Sequence, residues 1–326
     1  MRVFSQRIHT IFVISLFFVN IIFAQTGGQN FDLAEYSDFS DPVIPSSFIS
    51  LYEGEDSYII LVEKRGQKLF LLNNVNGNIS IIKSYLCSTG RKIGDKKESG
   101  DLRTPEGVYF FRSKIDSTEL PPLYGAGAFV LDYPNIFDRI KHKNGYGIWL
   151  HGTNEPERIQ NSNDTKGCIV VKNEDILELG KYIVLNETPI IVVNEIVYRK
   201  LEYVNKDKDE VLTFLKKWKK SWESKNIKEY IQCYSRYFKF RKMNLKAFRS
   251  YKKRVFNIYK WIKININNIQ IFKSESNILI SFLQEFKTDS YYDYGVKQLY
   301  LTKEDNSYKI IGELWSKVED NTGNIK

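Results

Sequence analysis

From Ser57 onward the chain runs in short apolar stretches rich in β-branched and aromatic residues, separated by polar turns. Tyr58–Glu63, Gln67–Leu72 and Ile79–Leu86 each read as a strand, with Lys64-Arg65-Gly66 between the first two. Asn76-Gly77, inside the polar stretch Asn73–Asn78, supplies the positive φ angles of a tight turn, so an antiparallel meander is expected. A Gly- and Lys-rich loop over Ser88–Thr104 comes next. It lacks the Gly-x-x-x-x-Gly-Lys-Ser/Thr order of a phosphate cradle, and no helix follows it. Thr104-Pro105-Glu106-Gly107 instead turns into a strand that starts Val108-Tyr109-Phe110. The small residues Gly125–Ala128 suit a close backbone approach, either by a ligand or at a tight strand crossing. Asn173 is expected to cap a short helix with Glu174 and Asp175 in its first turn, and Ile190–Val193 to form a closing strand.

The periodicity changes near Lys206. Val211, Leu215, Trp218 and Trp222 recur at helical spacing, as do Ile227, Ile231 and Tyr234, and a third helix falls within Leu245–Ile262. Four β runs follow: Ile264–Phe272, Asn277–Phe286, Gly295–Leu301 and Tyr308–Trp315. Helices first and an antiparallel sheet afterwards describe a small α+β unit. Tyr259, Trp261, Tyr291, Tyr292 and Tyr300 within it suit either core packing or the lining of a pocket. Residues 25–56, with Pro42 and Pro45, show little periodicity beyond a short helix near Pro45–Tyr52. They read as a linker, or as an N-terminal extension packing on the next domain or on a second copy of the chain in a homodimer.

The first 24 residues carry a different signal. Arg2 and Arg7 precede an apolar run over Ile11–Phe23, and Ala24 offers a small residue for cleavage, the order of an export signal peptide. That run is shorter than the roughly 18 residues that span a bilayer. The mature chain is therefore expected outside the cytoplasm. Three cysteines, an odd number, leave at least one thiol unpaired in a monomer, which excludes a complete disulfide scaffold. The net charge of +9 is uneven: residues 206–263 hold 19 Lys and Arg against 5 Asp and Glu, so this segment carries +14 and the remainder −5. Such a segment is a solvated helical face or a patch for polyanions. With export expected, the polyanion is an anionic wall polymer or a membrane surface, and nucleic acid is excluded.

The chemistry gathers between Trp149 and Val171. His151 and Cys168 each sit at the end of a short apolar run, and the loop between them is polar. Two strands would bring both to one sheet edge, where an imidazole helps form a nucleophilic thiolate. Gly167 allows a tight turn and leaves the amides of Gly167 and Cys168 to face a developing oxyanion. On spacing alone, a buried structural cysteine with a core histidine explains the pair equally well. Zinc needs three or four ligands, and only His142 and His151 accompany His9.

The residues themselves discriminate further. His151-Gly152-Thr153, then Thr165-Lys166-Gly167-Cys168-Ile169, with the earlier Thr104-Pro105-Glu106-Gly107 block, resembles the YkuD-type L,D-transpeptidase catalytic domain, whose pattern is His-Gly, a loop, then Ser-x-Gly-Cys-(Ile/Val)-Arg. Thr165 stands where serine is usual, and Val170 where arginine is usual. The C-terminal pattern resembles the NTF2-like fold. The resemblance implies a β-rich catalytic domain (a YkuD-type β-sandwich with short helices) over 57–200 and a small NTF2-like α+β cone over 206–318, after a signal over 1–24 and an extension over 25–56. It further implies Cys168 as nucleophile, His151 as general base and acid, the Gly152 carbonyl orienting His151, and the Gly167 amide in the oxyanion hole. Thr165, Lys166, Trp149 and Thr153 are expected against substrate, with no metal and no organic cofactor. The expected substrate is the peptidoglycan stem peptide, cut as by an L,D-carboxypeptidase of the kind that sets helical cell shape. Three alternatives remain: an L,D-transpeptidase, an exported cysteine peptidase acting on protein, and a non-catalytic wall-binding module.

Overall fold

The computed structural model describes residues 43–50, 57–75 and 78–318. The expected signal peptide, most of the extension and the Asn76-Gly77 turn lie outside the described residues. The first domain is built on an eight-stranded sheet. Strands β3 (Ser57–Glu63), β4 (Lys68–Val75) and β5 (Asn78–Leu86) form the antiparallel meander. β10 (Pro189–Val193) lies parallel to β3 and antiparallel to β6 (Gly107–Asp116). β6 does two jobs. Its residues 107–110 pair with β10, while 111–116 pair with β7 (Gly127–Leu131) across an irregularity between Phe111 and Ser113. A strand that bends at such a point passes from one layer of a sandwich to the other. β8 (Trp149–His151) and β9 (Ile169–Val170) complete the second layer.

Alternation along these strands builds two cores at once. Ile60, Val62, Leu69, Leu71, Tyr109, Phe111, Ile190 and Val192 meet Phe129, Leu131, Leu150, Ile169 and Val171 inside the sandwich. The opposite faces carry Ile59, Leu61, Phe70, Leu72, Val108, Phe110 and Ile191, which pack on Phe272, Leu279 and Tyr300 of the second domain. A strand covered on both faces reads as a continuous apolar run, which is why Val108-Tyr109-Phe110-Phe111 shows no polar alternation.

The second domain has helices α4 (Leu201–Glu223), α5 (Ile227–Gln232) and α6 (Leu245–Ile258) over strands β14 (Ile262–Ser274), β15 (Asn277–Thr288), β16 (Tyr292–Glu304) and β17 (Ser307–Lys317). Trp218, Trp222, Tyr230 and Phe248 from the helices pack on Ile264, Ile280, Phe282 and Leu299 from the sheet. Asn226 and Asn244 cap α5 and α6, each accepting an amide three residues on. Tyr300 is buried against the first domain, while Trp261, Tyr291 and Tyr292 are exposed, so these aromatics do not together line a pocket.

The segment before β3 departs from expectation. Instead of a helix near Pro45–Tyr52, the described residues form β1 (Val43–Pro45), paired with β11 (Tyr198–Lys200), and β2 (Phe48–Ser50), paired with β14 at the edge of the second domain's sheet. Phe48 is buried in the contact between domains and Ile49 in the second domain's core. Strand addition from 200 residues away leaves no local pattern to read, and Pro45 at a strand end is compatible with it. The N-terminal segment thus stitches the two domains together. Truncating fully buried Phe272 by Phe272→Ala should cost about 3–5 kcal/mol and shift the urea midpoint of both domains in one transition; a shift confined to the second domain would contradict the shared core.

Candidate active site

The parallel pairing of β8 with β9 sets Leu150 against Ile169 and His151 against Val170. Side chains alternate, so Leu150, Ile169 and Val171 enter the sandwich core while Trp149, His151, Cys168 and Val170 belong to the other face. His151 and Cys168 are therefore diagonal neighbours on one face. Val170 is fully buried between its partners His151 on β8 and Ser88, with which it exchanges both backbone hydrogen bonds at 2.9 Å.

His151 is 2% exposed, and its Nδ1 lies 2.6 Å from the Gly152 carbonyl oxygen. A carbonyl only accepts, so Nδ1 carries the proton and Nε2 keeps its lone pair. Tyr124 stands edge-on to this ring, with centroids 4.8 Å apart, and also packs on half-buried Trp149 at 4.9 Å. Gly152 is required by crowding: a Cβ there would meet Asn173 Oδ1 at 2.5 Å and Ile176 at 3.0 Å. Gly125, with φ at 65°, faces the same Asn173 oxygen, so the Gly125–Ala128 stretch marks a tight crossing of the chain with itself.

Asn173 does not cap α3 (Asn173–Leu179); it is the first helical residue, and Lys172 holds the cap position. Its Oδ1 accepts the Ala126 amide at 2.8 Å and its Nδ2 donates to Asn154 Oδ1 at 2.8 Å. Asn154 in turn donates to the Pro122 carbonyl. This chain fixes the backbone on which the Gly152 carbonyl sits.

The turn that leads into Cys168 closes on itself. Thr165, 1% exposed, donates from Oγ1 to the Cys168 carbonyl at 2.7 Å and accepts the Gly167 amide at 3.0 Å. Its hydroxyl is thus engaged within the turn, and the Gly167 amide, expected toward an oxyanion, already has a partner. Gly167 itself, with φ at 133°, passes within 2.9 Å (Cβ position) of the Arg103 carbonyl. The Gly- and Lys-rich loop is the bed for this turn. Buried Lys64 fastens it, donating to the carbonyls of Gly94 and Thr104 and to Glu106, while buried Lys96 pairs with Asp101 at 2.7 Å. Thr153 is buried, its Oγ1 accepting the Glu155 amide at 3.1 Å, and Lys166 is exposed.

Burial disfavours charge on both titrating groups of the site. Burial pushes the His151 imidazole from 6.5 down to about 4, against the Gly152 carbonyl, and the Arg158 charge lowers it further. Burial also raises the Cys168 thiol, opposed by the Trp149 backbone amide and the charges of Arg158 and Lys96. The Cys168 thiol donates to the Gly147 carbonyl at 3.4 Å. Cys87 and Cys233 are free but buried, and burial raises both thiols. Among the described residues, no group of three or more His, Cys, Asp or Glu is arranged for a metal.

Residues 57–192 match the model of the L,D-transpeptidase catalytic domain, YkuD, and residues 210–314 that of the Cds6 C-terminal NTF2-like domain. The structure of Bdellovibrio bacteriovorus Bd1075 is 33% identical with a TM-score of 0.72, over 86% of this chain and 100% of that one. The chain belongs to the YkuD L,D-transpeptidase family. It carries the NTF2-like domain behind the catalytic domain, the order its strand-rich and α+β patterns imply. The helical cell shape determining protein Pgp2 from Campylobacter jejuni is 28% identical with a TM-score of 0.65, over 82% of this chain and 95% of that one. No curated protein matches the chain.

Tyr124 and Asn173's second role were not legible in the sequence, since each acts through a contact that no spacing announces. The buried imidazole makes one sharp prediction. Between pH 6.5 and about 4 the unfolded chain binds a proton at His151 that the folded chain does not. Stability is lost as pH falls through that window, by roughly 3 kcal/mol from this group in the limit. Urea unfolding at pH 7 and pH 4.5 should show a smaller acid loss for His151→Gln than for the native protein; equal losses would contradict the buried, neutral imidazole.

Proposed function

We propose that the protein is a peptidoglycan L,D-carboxypeptidase, cutting the stem peptide between an L-configured centre and its terminal D-alanine. The observation that carries the reading is the placement of Cys168, His151 and the Gly152 carbonyl on one sheet face, in a chain of the L,D-transpeptidase family. On this reading His151 Nε2 takes the Cys168 proton and the sulfur attacks the carbonyl of the L-centre, the diamino acid at position three of Gram-negative stems. The Cys168 amide stabilises the oxyanion, because the Gly167 amide is engaged by Thr165. The C–N bond breaks, His151 Nε2 returns the proton to the leaving amine, and a thioester on Cys168 remains. Water, deprotonated by His151, attacks the thioester and frees the shortened stem and the thiol.

Transfer to an amine of a neighbouring stem, which would make the protein a transpeptidase, uses the same residues. Release to water is favoured because the two-domain arrangement resembles that of a helical cell shape determining protein over most of its length. We read the site of action as the periplasm, on the basic, apolar and small-residue order of the first 24 residues. The basic helices over 206–263 would hold anionic wall polymer or the membrane surface.

Mass spectrometry of muropeptides incubated with the protein tests this directly. The expected result is conversion of tetrapeptide to tripeptide, abolished in Cys168→Ala. Cross-linked dimers would instead establish the transpeptidase, and no change with the native protein would overturn the enzymatic reading on this substrate.

A further inference from the structure

The residues that lead from α6 into β14 and the turn between β15 and β16 lie side by side at one end of the second domain's sheet. The strand register sets Ile262 opposite Thr288. The Lys260 amide donates to Asp289 Oδ1 at 2.9 Å, and Thr288 Oγ1 accepts the Tyr291 amide at 2.7 Å, which folds the turn back on itself. Buried Phe286 carries an aromatic from each segment, with the Tyr259 and Tyr291 ring centroids 6.1 and 6.2 Å from its own. Lys225 fastens the first segment by donating to the carbonyls of Tyr259 and Lys260.

The surface this end turns to solvent is apolar. Ile258 is 66% exposed, Trp261 49%, Tyr291 50% and Tyr292 52%. Single apolar residues at a surface are ordinary, but large ones gathered on two adjoining segments mark a contact surface. Cations surround them. Lys253, Arg254, Lys260 and Lys263 are exposed, and among the described residues none of these has a carboxylate partner. Arg254 lies one turn before Ile258 on the same face of α6. The acids of this end are fewer: Glu285, which pairs with Lys287 at 2.6 Å, and Asp289 and Asp293, whose carboxylates accept backbone amides.

We infer that this end of the second domain docks on the surface of a bilayer that contains anionic phospholipid. Trp261, Tyr291, Tyr292 and Ile258 enter the interfacial layer, and the surrounding cations meet the headgroup phosphates. Tryptophan and tyrosine combine an apolar body with a polar tip, which suits that layer, and lysine and arginine beside them gain from its negative potential. A glycan strand stacks on aromatic faces; it gives aliphatic Ile258, the most exposed of the four, little relief from water, whereas acyl chains cover it. The inference rests on the export reading and narrows the partner of the basic segment to a membrane. Because the two domains share a core, docking here holds the catalytic domain at a set distance from the bilayer.

Tryptophan quenching by vesicles of phosphatidylcholine and phosphatidylglycerol with brominated acyl chains tests this on the full chain. The readout is the emission lost in Trp261→Phe, so it is separate from any binding by residues 1–24. In the native protein that emission should be quenched by the anionic vesicles and far less by phosphatidylcholine alone. Lys260→Gln combined with Lys263→Gln should raise the lipid concentration for half-quenching about 10- to 30-fold at low salt, and Ile258→Ser about 10-fold. All of these positions are exposed, so the variants keep the core. Quenching that Trp261→Phe leaves unchanged, or equal quenching by neutral vesicles, would overturn the assignment. Vesicle binding that is lost in Lys216→Gln, Lys217→Gln and Lys220→Gln together, with Trp261 unquenched throughout, would keep the basic segment as a membrane contact and overturn the role of this end. Protection of Trp261 from acrylamide by soluble glycan strands, but not by vesicles, would make the patch a glycan platform and overturn it as well.

Discussion

A two-residue offset in one parallel strand pair underlies the site. Because His151 opposes Val170, Cys168 lies diagonally across from the imidazole on the same face. A one-residue slip would turn Cys168 into the core and bring Ile169 out to the histidine. Register is secured from both sides. Leu150, Ile169 and Val171 are committed to the sandwich core, and Ser88 locks Val170 by two backbone hydrogen bonds. The glycines and Asn173 then bring the Gly152 carbonyl to the imidazole, and Thr165 closes the turn that presents the thiol.

The same burial that organises this pair sets its electrostatics. Charge is disfavoured on both desolvated groups, which moves the imidazole down and the thiol up. The second domain supports this arrangement by packing. It covers the outer face of the β3–β10–β6 layer, and β2 is threaded into its sheet, so the layers that hold the site share a core with it.

Local chemistry was readable from the chain; long-range assembly was not. His151-Gly152 and Gly167-Cys168 stood out because their residue types carry mechanism, and the runs from Tyr58 to Leu86 announced strands by period. The apolar Phe48-Ile49 near Pro45 suggested a helix because its strand partner lies more than 200 residues away. Asn173 resembled a helix cap, the commonest use of asparagine before an acidic turn, but here its amide bridges two loops. Thr165 and Gly167 were expected to face the reaction, whereas their polar groups satisfy one another within the turn.

The site depends most on the state of one imidazole. Nitrogen-15 NMR of His151 in the native protein, assigned against His142→Gln and followed from pH 8 to pH 4, reads that state directly. A proton on Nδ1, a bare Nε2, and no titration until the pH approaches about 4 are expected. A proton on Nε2, or titration near 6.5, would mean that His151 is not the poised base of this site.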